Sequence, residues 1–186
     1  MARWEPDARA RLRRAALELY AEQGFDETTV AEIAERAGVT ERTFFRHFAD
    51  KREVLFVDSA EHLQTLADVI VAAPESVGPL DAVVDAIVEA SSGFAYEISQ
   101  PRSVVIAATP SLLERELLKL ASWGNAAADA LRKRGVPGPT ADLAAQAAIA
   151  VFRTGFEQWT SGDGSTPLAD HIRAARTDLK AAVSGS

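Results

Sequence analysis

From Thr40 to Lys51 the chain runs TERTFFRHFADK. At helical spacing Phe44, His47 and Phe48 share one side, and Glu41, Arg42, Phe45 and Arg46 lie toward the other. An arginine can fork onto guanine O6 and N7, and a glutamate can accept from cytosine N4. Two arginines beside an aromatic ring therefore suit a groove lined with base edges and phosphates. Taken alone, such a helix could also be a solvated charged face with one exposed Phe. Its surroundings argue for the groove, because a second capped helix and a glycine turn precede it and Lys51 follows it.

Those surroundings position the face. Leu12, Ala15, Ala16, Leu19 and Tyr20 recur at helical spacing and stop at Gly24, which predicts a first helix over about residues 8–22. Thr29 and Glu32 have the spacing of a capping box and open a short helix that ends at Gly38. Thr40 caps another through His47. The glycine permits a tight turn, and the apolar residues lock the pair at one angle, as in a helix-turn-helix. Asp50 and Glu53 repeat the capping-box spacing and predict one long helix to about Ala73. Beyond it, stops and prolines predict helices over about 80–99, 102–108, 111–134, 141–161 and 167–183. No strand alternation is sustained, so the expected fold is all-α, with about nine helices. The expected division is a DNA-binding domain over 1–50 and a larger helical domain over 51–186.

Charge supports this division. Residues 1–52 carry ten basic and ten acidic side chains, so the whole net charge of −7 belongs to residues 53–186. An acidic body repels phosphate, and only the neutral head can approach a polyanion. The chain has no cysteine, which excludes disulfides, thiolate metal sites and a cysteine nucleophile. His47, His62 and His171 are scattered without carboxylates at ligand spacing, and no phosphate loop or nucleophile elbow occurs. No enzyme, metal or cofactor is expected. The N-terminus has no apolar run behind its first charge, and no stretch reaches the ~18 apolar residues that span a bilayer. The expected setting is cytoplasmic, without membrane.

The stretch GFDETTVAEIAERAGVTERTFFRHF, from Gly24 to Phe48, closely resembles the DNA-binding head of the TetR family. The resemblance rests on Gly24, Thr29, Ile33, Ala34, Ala37, Gly38, Val39, Thr40, Thr43, Phe44, Phe45, His47, Phe48, Lys51 and Leu55. It implies that Thr29, Thr40, Thr43, His47 and Lys51 anchor phosphates, leaving Glu41, Arg42 and Arg46 for base contact. Thr29 and Thr40 stand at helix N-termini, where amides and dipole favour an anion. Phe45 replaces the family's commoner tyrosine, losing a hydroxyl that could meet a phosphate. Glu41 places a negative charge near the backbone. The resemblance further implies double-stranded DNA with an inverted repeat as partner, a small-molecule effector, repression relieved by that effector, and a homodimer. A helical small-molecule carrier without DNA binding would suit the second half alone, and Arg42, Arg46, His47 and Lys51 speak against it.

The second half is less specific. Leu80, Val84, Ile87, Phe94 and Ile98 form an expected fifth-helix stripe that includes Ser91. Phe152, Phe156 and Trp159 form another beside Arg153, and Leu117, Leu120 and Trp123 are expected to face the same interior. Such stripes serve either as core or as pocket. TetR-like sensors bind ligands between these helices, so Ser91, Phe94, Trp123, Gln146, Phe152, Arg153 and Phe156 are the effector candidates. On the last two helices, Leu143, Ala147, Ala150 and Thr154 make a small-residue face. Leu168, Ile172, Ala175 and Leu179 repeat at seam spacing. The expectation is dimerisation through both faces, with closure of the monomer core as the alternative.

Overall fold

The computed structural model describes residues 8–56 and 59–185. The helices are α1 Ala8–Gln23, α2 Val30–Arg36, α3 Glu41–His47, α4 Ser59–Ala72, α5 Pro79–Ala90, α6 Tyr96–Ala108, α7 Pro110–Lys133, α8 Gly138–Ser161 and α9 Leu168–Ser184, with a 3-10 turn over Glu53–Leu55. Among the described residues there is no strand, and the fold is all-α as expected. None of these helices is long and apolar enough to cross a membrane.

Contacts divide the chain into two compact units. The first takes α1–α3, the 3-10 turn and residues 97–116; the second takes α4, α5, Tyr96 and the chain from Leu117 onward. In the first unit α1 lays Leu12, Ala16, Leu19 and Tyr20 against Ile33, Phe44 and Phe48, and Val105, Ile106 and Leu112 join the same core. Each large side chain enclosed there contributes about 1.5–3 kcal/mol relative to exposure. The segment 97–116 is also clasped by charge. Arg102 Nε donates to Leu55 O at 2.6 Å, and its guanidinium forks onto Glu116 at 3.3 and 2.6 Å. Arg115 pairs with Glu53, and both guanidiniums lie beside the Phe56 ring, 5.2 and 5.8 Å from its centroid.

This clasp explains the first departure from the sequence pattern. One helix was expected from Asp50 to about Ala73. Instead, the 3-10 turn ends at Phe56 (φ −120°, ψ 36°), and α4 begins at Ser59. Asp50 Oδ1 accepts from the amides of Arg52 and Glu53 at 2.8 and 3.1 Å, so the cap forms. Glu53, which would have closed the box, pairs with Arg115 instead, and the Leu55 carbonyl goes to Arg102 rather than to a helical amide. Lys51 therefore precedes the 3-10 turn rather than opening the fourth helix.

The second departure lies at 91–101. The expected 80–99 helix stops at Ala90, where Ser91 Oγ donates to Ile87 O at 2.7 Å, and α6 runs through Pro101 rather than starting after it. An interior proline costs about 3 kcal/mol in a bare helix. Here α6 recovers that by burying Val105 and Ile106, with Ile98 packed on the same core. The fifth-helix stripe is thus split: Leu80, Val84, Ile87 and Phe94 pack in the second unit, and Ile98 in the first.

The second unit is built on α4, α5, α7, α8 and α9, with Leu66, Ile70, Ile87, Leu131, Phe152 and Ile172 at its centre. Leu117, expected inside, is 47% exposed. Leu168, Ile172 and Ala175, expected at a dimer seam, are buried in the monomer core instead, with Leu179 packed against them. Gly155 is the reason α9 comes so close: a Cβ there would stand 2.8 Å from Ile172 N and 2.9 Å from its Cα. Those atoms are backbone and cannot turn aside.

Gly155→Ala decides between two effects of known size. Helix propensity favours alanine by about 1 kcal/mol, whereas overpacking costs about 1–3 kcal/mol. The expected result is net destabilisation in urea unfolding, with Gly93→Ala, whose Cβ meets nothing, unchanged. A more stable Gly155→Ala protein would show that α9 is free to move away.

Candidate nucleic-acid interface

The interface is built from two seven-residue helices, too short to be stable alone. The N-terminus of α2 carries the full capping box: Glu32 N donates to Thr29 Oγ1 at 3.2 Å, and Thr29 N donates back to Glu32 Oε2 at 2.7 Å. These bonds from the Thr29 backbone and hydroxyl hold the Glu32 carboxyl below the usual carboxylate range. Gly38 (φ 68°) takes the left-handed conformation that ends α2, with Val39 N donating to Ala34 O at 2.9 Å. Arg11 of α1 fastens this turn by donating to Ala37 O at 3.1 Å. Thr40 then caps α3, accepting from Thr43 N at 3.2 Å, and the two hydroxyls lie 3.1 Å apart.

The face of α3 divides as its spacing implies. Phe44 and Phe48 are buried in the core of the head. Glu41, Arg42 and Arg46 are exposed, and Phe45 beside them is 55% exposed. Thr29 and Thr40 are exposed, and Thr43, His47 and Lys51 are half-buried. His47 Nε2 is enclosed, with no hydrogen-bond partner among the described residues.

Lys51 turns inward. Its ammonium donates to Phe25 O at 2.8 Å, Asp26 O at 3.0 Å and Thr28 O at 2.8 Å, and lies 4.5 Å from the Phe25 ring centroid. The Tyr20 hydroxyl donates to Lys51 O at 2.6 Å, and burial pushes that phenol's pKa above its ordinary value. Sequence reasoning assigned no part to Tyr20 or Arg11 in shaping the interface. Tyr20 sat in an apolar stripe, and nothing local shows where its hydroxyl ends.

In the second unit the aromatic effector candidates form one continuous row. Trp123 stacks on Phe152 (5.7 Å, 23°), Phe152 meets Phe156 at 5.6 Å, and Phe94 meets Phe156 edge-on at 6.4 Å. His62 bridges the two ends of that row, edge-on to Phe94 at 5.4 Å and to Trp123 at 6.0 Å. Trp159 packs on Phe156 at 5.8 Å and meets Tyr96 at 5.5 Å. The polar candidates are placed differently. Ser91 is buried, with its hydroxyl on its own helix; Gln146 is exposed and reaches across Gly124; Arg153 is exposed.

Residues 12–56 match the family of bacterial regulatory proteins named for tetR, and residues 77–184, more than half of the chain, match the MftR C-terminal domain. The chain belongs to the TetR family. It is a DNA-binding transcription regulator, a helix-turn-helix head followed by a helical domain of the MftR type. The regulator is 28% identical over 166 residues to MftR of Mycobacterium tuberculosis, named for regulating mycofactocin biosynthesis, covering 86% of this chain and 83% of that one. Over 75 residues it is 41% identical to the HTH-type regulator TcmR of Streptomyces glaucescens, 40% of this chain and 33% of that. Two solved structures share the fold. SmeT of Stenotrophomonas maltophilia in complex with triclosan has a TM-score of 0.61 and 19% identity, covering 95% of this chain and 91% of that chain. FadR of Thermus thermophilus in complex with lauroyl-CoA has a TM-score of 0.53 and 21% identity, covering 91% of each.

The capping box makes stability depend on pH with a definite sign. Glu32 is held below its unfolded value, so its contribution is complete above the ordinary carboxylate range and is lost as pH falls through the folded value. Glu32→Gln should flatten the acid side of the stability curve and leave its neutral side parallel to that of the unmodified protein. Urea midpoints across a pH series measure this, and an unchanged acid slope would remove Glu32 from the account.

Proposed function

We propose that this regulator is a cytoplasmic repressor that binds an inverted-repeat operator as a dimer and is released by a small, largely apolar effector. One observation supports this reading above the others. Glu41, Arg42, Phe45 and Arg46 stand exposed on one face of a helix whose other face, Phe44 and Phe48, is locked in the core. Such a face can enter a major groove without rearrangement. Arg42 and Arg46 take guanine edges and Glu41 a cytosine amine, and Phe45 packs beside them. Thr29, Thr40, Thr43, His47 and Lys51 surround that face and take phosphates, which position the head without reading sequence.

Self-association uses the last two helices, on faces that the monomer leaves open. Leu143 is 73% exposed and Val183 75% exposed, and Ala150 and Thr154 continue the exposed α8 face, with Ala147 half-buried between them. Exposed leucine and valine beside small residues suit a close helix–helix seam. The effector belongs to the aromatic row of Phe94, Trp123, Phe152 and Phe156, lined by rings with few polar groups. Triclosan in SmeT is largely apolar, and lauroyl-CoA in the Thermus FadR carries an apolar acyl chain on a charged nucleotide headgroup.

Arg42→Ala tests the base contact. It should cost about 1–3 kcal/mol on a selected operator and relax preference at particular base pairs. Full preference across an operator library would remove Arg42 from base contact. Ala150→Glu tests the seam, since an unpaired charge in an apolar contact is costly. Sedimentation should show a helical monomer with weakened operator binding, and an intact dimer would place the interface elsewhere.

A further inference from the structure

A histidine closes the aromatic row into a circuit. The ring contacts run from Phe94 to His62 at 5.4 Å, from His62 to Trp123 at 6.0 Å and from Trp123 to Phe152 at 5.7 Å. They return through Phe156 at 5.6 Å to Phe94 at 6.4 Å. Among these five rings the imidazole of His62 has two nitrogens that can meet an oxygen or a donor strongly. The circuit has an inner wall and a rim. Trp123 and Phe152 are buried, whereas His62, Phe94 and Phe156 are half-buried and reach solvent. The imidazole thus stands at the rim.

Packing alone gives no reason for a histidine at this position. His62 lies one turn before Leu66 on α4 and two turns before Ile70, and both of those are fully buried in the core of the second unit. Another apolar side chain would extend that stripe, whereas a polar ring set among aromatic rings gives up part of its hydration. The polar candidates expected from the sequence are placed elsewhere. Ser91 Oγ donates to Ile87 O at 2.7 Å, Gln146 is exposed and reaches across Gly124 of α7, and Arg153 is exposed on the α8 face that carries Ala150 and Thr154. Ligand sites are mostly apolar, and a few polar groups fix the orientation of what they hold. His62 is placed to be such a group.

We propose that His62 is the specificity-determining residue of the effector site, donating an imidazole N–H to an oxygen acceptor carried on an otherwise apolar effector. The ligand class is then an apolar body with a carbonyl or carboxylate oxygen at its edge. The proposal rests on reading the aromatic row as the effector site, and it names the polar part of the ligand that the row itself does not specify. A bond from one imidazole nitrogen to the protein is compatible with it, because the other nitrogen remains for the ligand.

The test keeps one apolar body, of a kind that aromatic walls accept, and changes its edge. Naphthalene has no acceptor, methyl naphthoate has a neutral one, and naphthoate is an anion. Equilibrium dialysis of each against the unmodified full chain, His62→Phe and His62→Gln gives the affinities. The unmodified protein should bind at least one oxygen-bearing probe roughly five- to tenfold more tightly than naphthalene, the scale of one hydrogen bond. His62→Phe keeps a ring at the position and should bind all three probes alike. His62→Gln keeps an N–H donor and should recover part of the preference, which a merely structural role would not do. A gain for ester and acid together assigns a neutral acceptor, and a gain for the acid alone assigns an anion. If His62→Phe does not fold, imidazole nitrogen resonances of the unmodified protein decide. The chain has three histidines, and His62 alone should shift with the oxygen-bearing probe and not with naphthalene. No preference in the unmodified protein, or a preference that persists in His62→Phe, overturns the proposal. Failure of the underlying reading looks different: naphthalene itself would fail to bind, or would bind Phe156→Ala as tightly as the unmodified protein.

Discussion

A helix of seven residues cannot hold itself together in water, because nucleation costs more than its few internal bonds return. Both working helices of this regulator have that length. Their existence depends on what surrounds them: caps at Thr29 and Thr40, a left-handed Gly38 between them, the α1 face beneath, and the Lys51 ammonium across the α1–α2 turn. These devices fix orientation as well as stability. Short helices held at both ends have little freedom to tilt, so the outward residues of α3 are presented as one rigid set.

The head is not closed by its first helices alone. Residues 97–116 return to it, burying Val105, Ile106 and Leu112 and placing two arginines beside Phe56. The Arg102–Glu116 pair is only 17% and 22% exposed, so water screens it less than a surface pair. The same arginine takes the Leu55 carbonyl and thereby ends a helix that the local sequence would have continued. Local propensity loses here to a charged hydrogen bond supplied from forty-seven residues away.

The second unit solves a different problem. It packs alanine-rich helices closely, and the bare Gly155 lets α9 approach until backbone nearly touches backbone. Ion pairs from Arg176 and Lys180 to Asp81, with Arg176 also on Asp85, tie α9 to α5 along the rim of that packing. Its large rings gather into one row rather than dispersing through the core, which gives this half a chemical character distinct from the aliphatic core around it.

By itself the sequence determined whatever depends on neighbours a few residues apart. The Thr29–Glu32 box, the Thr40 cap, the Gly38 turn and the two-sided pattern of α3 are all local, and each appears as its spacing implies. The helices of the last third likewise follow their glycine and proline stops. Only the tertiary structure decided where long-range partners intervene. Leu55 loses its helical amide to Arg102; α6 runs through Pro101 because its apolar residues find a core; Ile172 goes inward because Gly155 leaves room. Lys51 is the clearest case. Nothing in the sequence around this lysine shows that its ammonium donates to carbonyls twenty-three to twenty-six residues earlier in the chain. Spacing along a helix carries information about faces, and a backbone carbonyl exposed by a distant turn leaves no mark in the residue types that surround it.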